Sequence, residues 1–168
     1  MVFRGAFGFL SNFHPSPVEL DGIRYENAEA AFQARKCADP SGRKAFAGLS
    51  AVRARQLGRR ITLRKDWEEV RLAAMEEVVR AKFAQNPELA ARLLATGSMP
   101  LVEGNTHGDT FWGVDARTGK GENHLGKILE AIRTEFQLTP PYVSAVPAAK
   151  KHGKRTGRAI RSPWPFPS

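Results

Sequence analysis

From Asn27 to Phe136 the chain is a succession of helix start and stop signals, and no other feature limits its fold as much. Asn27 is placed to cap a helix running to about Ala38, and Asp39 with Pro40 supplies the N-cap and first residue of a short helix after it. Ser50 starts a third helix that ends near Gly58. Asp66 followed by Glu69 reads as a capping-box-like start for the longest helix, roughly 67 to 84, on which Glu76 and Arg80 pair at i,i+4. Asn86 and Pro87 open a further helix that Gly97 closes, and a last one spans about Asn123 to Phe136 with Leu125, Ile128, Leu129 and Ile132 on its buried face. Extended structure is scarce beside this. Residues 17 to 25 alternate around an Asp21-Gly22 turn and predict a small hairpin, and short extended pieces are expected at Leu101 to Glu103 and Thr110 to Val114. The expected fold is α+β and mainly helical, a compact single domain with short strands.

A chain of 168 residues suits one domain with a core of its own. The domain is placed at residues 1–138. Residues 139–168 are read as a basic, proline-rich tail without helical or strand periodicity, and this tail is expected to be disordered. Charge supports the division: six of the 26 basic residues stand between Lys150 and Arg161 with no acid after position 138, leaving 20 bases against 17 acids before it. Such a tail is either a solubilising extension or a contact to phosphate backbones, which makes DNA a candidate partner.

Several function classes lose support. No apolar run approaches the roughly 20 residues that cross a bilayer, so no membrane partner is expected, and the start MVFRGAFGFLSNF does not read as a secretion signal. Cytoplasmic residence is the expectation. A single cysteine, Cys37, rules out an internal disulfide framework, and His14, His107, His124 and His152 show no metal-binding spacing, so no metal and no cofactor are expected. There is no G-x-S-x-G elbow.

Carboxylates and aromatics remain as the candidate chemistry, a pairing suited to an oxocarbenium-like transition state. Glu29, Gln33 and Lys36 fall at i, i+4 and i+7, on a different helix face from Ala28, Ala31 and Phe32; as a pattern this reads first as a solvated face. In GDTFWGV, Asp109 either caps a turn or faces a ligand, and Trp112 beside Gly113 is either core or a stacking surface. The loop Gly119 to Gly126 opens the final helix and offers N–H groups to an anion, with Asn123 as a plain N-cap the structural alternative.

Six motifs in order carry a resemblance: FLSNFHPSP from Phe9, DGIRYENAEAAFQARK from Asp21, KDW from Lys65, MEEVVRAKFAQNPELAARLLATG from Met75, LVEGNTHGDTFWG from Leu101 and GKGENHLGKILEAIR from Gly119. Together they cover nearly all of residues 3 to 136, and the chain resembles the NADAR family, also called YbiA-like. The resemblance implies a compact, mostly helical α+β domain that cleaves N-glycosidic bonds. The implied substrates are ribosylated pyrimidine intermediates of riboflavin synthesis, or ADP-ribose on guanine in DNA. It places the catalytic carboxylates at Glu29 and Asp109, and substrate contacts at Trp67 and Trp112 as stacking walls. Asn12, Lys36, Lys120 and Asn123 are the candidates for ribose and phosphate. Where many relatives carry a histidine after the glutamate this chain has Ala30, and Thr106-His107-Gly108 is a second departure. A non-catalytic reader of ADP-ribose or a nucleotide is the alternative.

Overall fold

The computed structural model describes residues 3–139; the expected tail beyond Thr139 lies outside them. Strand β1 (Pro15–Leu20) pairs antiparallel with β2 (Ile23–Asn27) through Val18↔Tyr25, Glu19↔Arg24 and Leu20↔Ile23. Asp21 and Gly22 both have positive φ, 53° and 71°, the backbone that a two-residue hairpin requires and that Asp-Gly supplies cheaply. Six helices follow in the expected order: α1 (Ala28–Ala34), α2 (Pro40–Arg43), α3 (Ala51–Gly58), α4 (Trp67–Gln85), α5 (Pro87–Ala95) and α6 (His124–Leu138). Among the described residues no helix is long and apolar enough to cross a membrane.

α4 is the central element, in contact with β1, α1, α5 and α6. Val78, Val79 and Phe83 on it are fully enclosed, with Leu10, Val18, Phe46, Leu93, Leu129 and Ile132 around them. Polar groups of the same helix fasten the neighbours. Gln85 exchanges two hydrogen bonds with the Glu19 backbone, at 2.8 and 2.9 Å, and Asn86 Nδ2 donates to the Pro17 and Lys82 carbonyls. Lys82, wholly buried, donates from Nζ to the Phe9 and Ser11 carbonyls at 2.6 and 2.8 Å, and so holds down the chain that leads to Asn12. Arg133 ties α6 to Thr96 and Met99.

Four local expectations need correction. α1 stops at Ala34, because Lys36 and Cys37 turn tightly back onto the Gln33 and Ala34 carbonyls instead of extending the helix to Ala38. The Asp66 carboxylate makes no cap: Arg64 holds both of its oxygens, at 2.6 and 2.8 Å. The extended pieces shrink to a parallel pair of two-residue strands, β3 (Gly104–Asn105) and β4 (Val114–Asp115), since Thr110 to Gly113 is spent on a turn around Asp109. Asn123 is left-handed, with φ 53°, and does not cap α6; its amide accepts from the Glu103 N–H and donates to the Leu101 carbonyl.

Candidate active site

α1 is nearly all alanine on its inner side, and small side chains let it sink into the domain: Ala28, Ala30 and Ala34 have no exposure. Asn27 caps it, its Oδ1 accepting the Ala30 N–H at 2.8 Å. α3 lies close against it because Gly58 has no side chain; a Cβ there would collide with Gln33 Oε1. The polar side of α1 is therefore enclosed, with Glu29 8% and Gln33 5% exposed. The expectation of a solvated face is corrected: amphipathicity marks a polar side, and here that side meets a cleft rather than bulk water.

The cleft measures about 280 Å³. Glu29, Phe32, Gln33 and Lys36 form one wall, and Arg55 and Arg59 from α3 stand beside them. Ser11, Asn12 and Phe13 come from the segment latched by Lys82, while Glu103, His107, Asp109 and Trp112 come from the turns around β3. The second wall is rigid for local reasons. Buried Asn105 accepts the His107 and Asp109 N–H groups and donates to the Asp109 carbonyl. Asp109 Oδ1 in turn accepts the Phe111 and Trp112 N–H groups at 3.1 and 2.9 Å. Asp109 thus organises the turn, and it is also a residue of the cleft lining. Trp112 packs edge-on against Phe32, 5.3 Å between ring centroids.

Three residues fall elsewhere. Trp67 is 7% exposed and packs behind Phe32, at 5.4 Å, with Lys36 Nζ 5.9 Å from its ring; it backs the wall without lining it. Lys120 and Asn123 do not line the cleft. The loop before α6 is not an open anion cradle either, since the N–H groups of Glu122, Asn123, His124 and Leu125 already donate to carbonyls between Thr110 and Gly113. Ala30 points into the core, away from the cleft. Sequence reasoning missed Glu103, Arg55 and Arg59. The two arginines were legible only as an i,i+4 basic pair, and Glu103 had no pattern at all.

Charges in the cleft are sorted. Burial pushes the Glu29 carboxyl up, opposed by the Gln33 Nε2 hydrogen bond of 2.8 Å and by Arg55, Lys36 and Arg59. Burial pushes Lys36 down, with Glu29 opposing and both arginines assisting. Glu103 is raised to about 7 by burial and then by Asp109, with Glu29 adding to the rise and Arg4 and Lys82 opposing it. Three buried acceptor atoms on the lining, Asn12 Oδ1, Gln33 Oε1 and Glu103 Oε2, have no hydrogen-bond partner. An enclosed acceptor without a donor costs about 1–3 kcal/mol, so these residues carry unmet polar atoms just behind the cleft surface. Among the described residues no three His, Cys, Asp or Glu side chains converge as a metal would need.

Comparison with known proteins sets these features in a lineage. The NADAR domain family model matches residues 2–137. A riboflavin biosynthesis protein of Vibrio vulnificus is 40% identical over 138 residues, which span 80% of this chain and 37% of that longer protein. N-glycosidase YbiA of Escherichia coli is 39% identical over 135 residues, 79% of this chain and 83% of its own. The NMR structure of E. coli YbiA superposes with a TM-score of 0.73 at 36% identity, covering 82% of this chain and 84% of that one. The compact α+β architecture is common to both.

Proposed function

The chain belongs to the NADAR domain family, and from that premise and the chemistry of the cleft we propose that it hydrolyses the N-glycosidic bond between a phosphorylated ribose and a base. One observation carries the proposal. The same cleft is lined by the acids Glu29, Glu103 and Asp109 and by a cationic edge of Lys36, Arg55 and Arg59. A sugar that develops positive charge suits the acids, and a phosphate suits the cations. Glu29 and Asp109 then flank the anomeric carbon, one carboxylate stabilising the developing cation and the other orienting water. Trp112 and Phe32 offer ring edges and faces to the base.

Two relatives bear on the choice of leaving group. Names of riboflavin biosynthesis proteins among them favour a ribosylated pyrimidine 5′-phosphate. A second reading, removal of ADP-ribose from guanine, is favoured by a neighbouring basin of about 400 Å³ that shares Phe13, Arg55, Arg59 and His107 with the cleft and has room for a further phosphate and ring.

Base release from a 5′-phosphorylated ribosylaminopyrimidine and from ADP-ribosylated guanosine, followed by chromatography, tests the proposal and chooses between the readings. Turnover of the first, with KM at least tenfold higher once its phosphate is removed, is the expected result. Tight binding of either compound with no base released would make the protein a reader.

A further inference from the structure

Three carboxyl groups face one small cleft, and they cannot all carry charge without strong mutual repulsion. What surrounds each decides which keeps the proton. Burial raises the Glu29 carboxyl, but a hydrogen bond from Gln33 Nε2 and its charged neighbours Arg55, Lys36 and Arg59 all oppose that rise. Asp109 Oδ1 accepts two backbone N–H groups, a further stabilisation of negative charge. Glu103 accepts no hydrogen bond at Oε2, which is buried. Its charged neighbours are Asp109 and Glu29 from the cleft, against Arg4 from the N-terminal segment and Lys82 from α4. Two of the Lys82 donors are already spent on the Phe9 and Ser11 carbonyls.

The backbone of Glu103 is as firmly set as its side chain is unsatisfied. Its N–H donates to Asn123 Oδ1 at 3.0 Å and its carbonyl accepts from Val114 N at 2.8 Å, one bond from each side of the residue. Gly113 makes the room: a Cβ there would collide with the Glu103 carbonyl and come within 3.0 Å of its Cγ. A carboxyl on a cleft-lining residue whose backbone is held from both sides is suited to giving a proton to something that enters the cleft.

We propose that Glu103 is the general acid of this site, a catalytic residue that delivers a proton to the nitrogen of the departing base. The proposal rests on the N-glycosidase reading above. As the bond between the anomeric carbon and nitrogen breaks, its electron pair stays on the base nitrogen, and the Glu103 carboxyl O–H gives that nitrogen its proton. The sugar is left cationic beside the carboxylates of Glu29 and Asp109. Water adds its oxygen to the anomeric carbon and loses a proton to one of those carboxylates, and that proton returns through solvent to Glu103. The balance is one water consumed, one base and one ribose phosphate released. A carboxyl raised to about 7 is protonated often enough near neutrality to serve.

The test pairs kinetics with titration. For the full-length protein and E103Q, kcat for base release is measured from pH 5 to 9 on the 5′-phosphorylated ribosylaminopyrimidine and on ADP-ribosylated guanosine. Wild type is expected to lose rate through an alkaline limb near pH 7. E103Q should fall by about 10²–10⁴-fold in kcat with KM within threefold, and the limb should vanish. E103D, which keeps an acid on a shorter arm, should recover part of the rate and keep a limb. Independently of turnover, ¹³C-carboxyl spectra of the substrate-free wild type labelled at glutamate should show one carboxyl titrating near neutrality, assigned by its loss from the glutamate spectrum of E103D. That signal keeps the proposal testable even if E103Q fails to fold. Active wild type with E103Q retaining its rate and limb, or with every glutamate titrating below pH 5.5, overturns the acid and leaves the glycosidase reading standing. Wild type that releases neither base removes the reading, and the acid with it.

Discussion

At the scale of single residues, the groups proposed for transition-state work are ones whose loss should not unfold the protein. Asn in place of Asp109 can still accept the Phe111 and Trp112 N–H groups through its Oδ1, so the turn survives while the charge is lost. Glu29 is enclosed with its carboxyl raised by burial, so its ionisation works against folding. The folded state holds that proton more tightly than the unfolded one, and wild-type stability therefore falls as pH rises above the unfolded value. Glu29→Gln should accordingly match wild type in thermal midpoint at pH 4 and equal or exceed it at pH 8. Both variants should lose base release by about 10²-fold or more. A midpoint that collapses in either one, with activity per folded molecule retained, would recast the residue as structural. Motif order points to Glu29, Asp109 and Trp112, and Lys36 is pointed to by sharing the Glu29 helix face, although the pattern of α1 alone favours solvent. Glu103 was not legible, because what makes it reactive is non-local: the Gly104↔Val114 pairing, the Asn123 amide and the absence of a side chain at Gly113.

At the scale of elements, helix starts were read well where a side chain caps the backbone next to it. Asn27, Asp39 and Ser50 each accept from an N–H two or three residues on, and that chemistry is contained in the local sequence. Asp66 and Asn86 have the right composition and precede their helices, yet the Asp66 carboxylate is taken by Arg64 two residues back, and the Asn86 amide by the Lys82 carbonyl and the distant Pro17 carbonyl, so competing partners displace the cap. Lys82 is the sharpest case. In RAKFAQ it looks like a surface lysine, and it is wholly buried between α4 and the Phe9–Ser11 backbone. Lys82→Met would leave the enclosed Phe9 carbonyl without its donor and the Ser11 carbonyl with only the His14 N–H, a cost of about 1–3 kcal/mol. The expected result is a lower denaturant midpoint with an unchanged slope, and a raised KM, since Asn12 is positioned from the same segment. An unchanged midpoint would show that water or a shifted backbone satisfies those carbonyls.

At the scale of the whole molecule, one compact domain over the matched residues suffices to build the cleft, and every lining residue falls between Ser11 and Leu125. The basic stretch from Lys150 to Arg161 lies outside the described residues, and its part can be tested without touching the pocket. Truncation after Pro140 should leave kcat/KM on a mononucleotide within twofold of the full chain. On ADP-ribosylated oligonucleotides it should weaken binding and flatten the dependence on salt, because fewer counterions are released. Equal behaviour of the two forms at low and high salt would take the tail out of substrate binding. The central claim, that the cleft between α1 and the turns around β3 breaks an N-glycosidic bond, is met most directly by multiple-turnover base release with phosphorylated ribosylaminopyrimidine in excess over protein. Many equivalents of free base per wild-type chain, with almost none from Glu29→Gln or Asp109→Asn folded to the same midpoint, is the predicted result. Bound but intact substrate, or equal release by all three proteins, would contradict it.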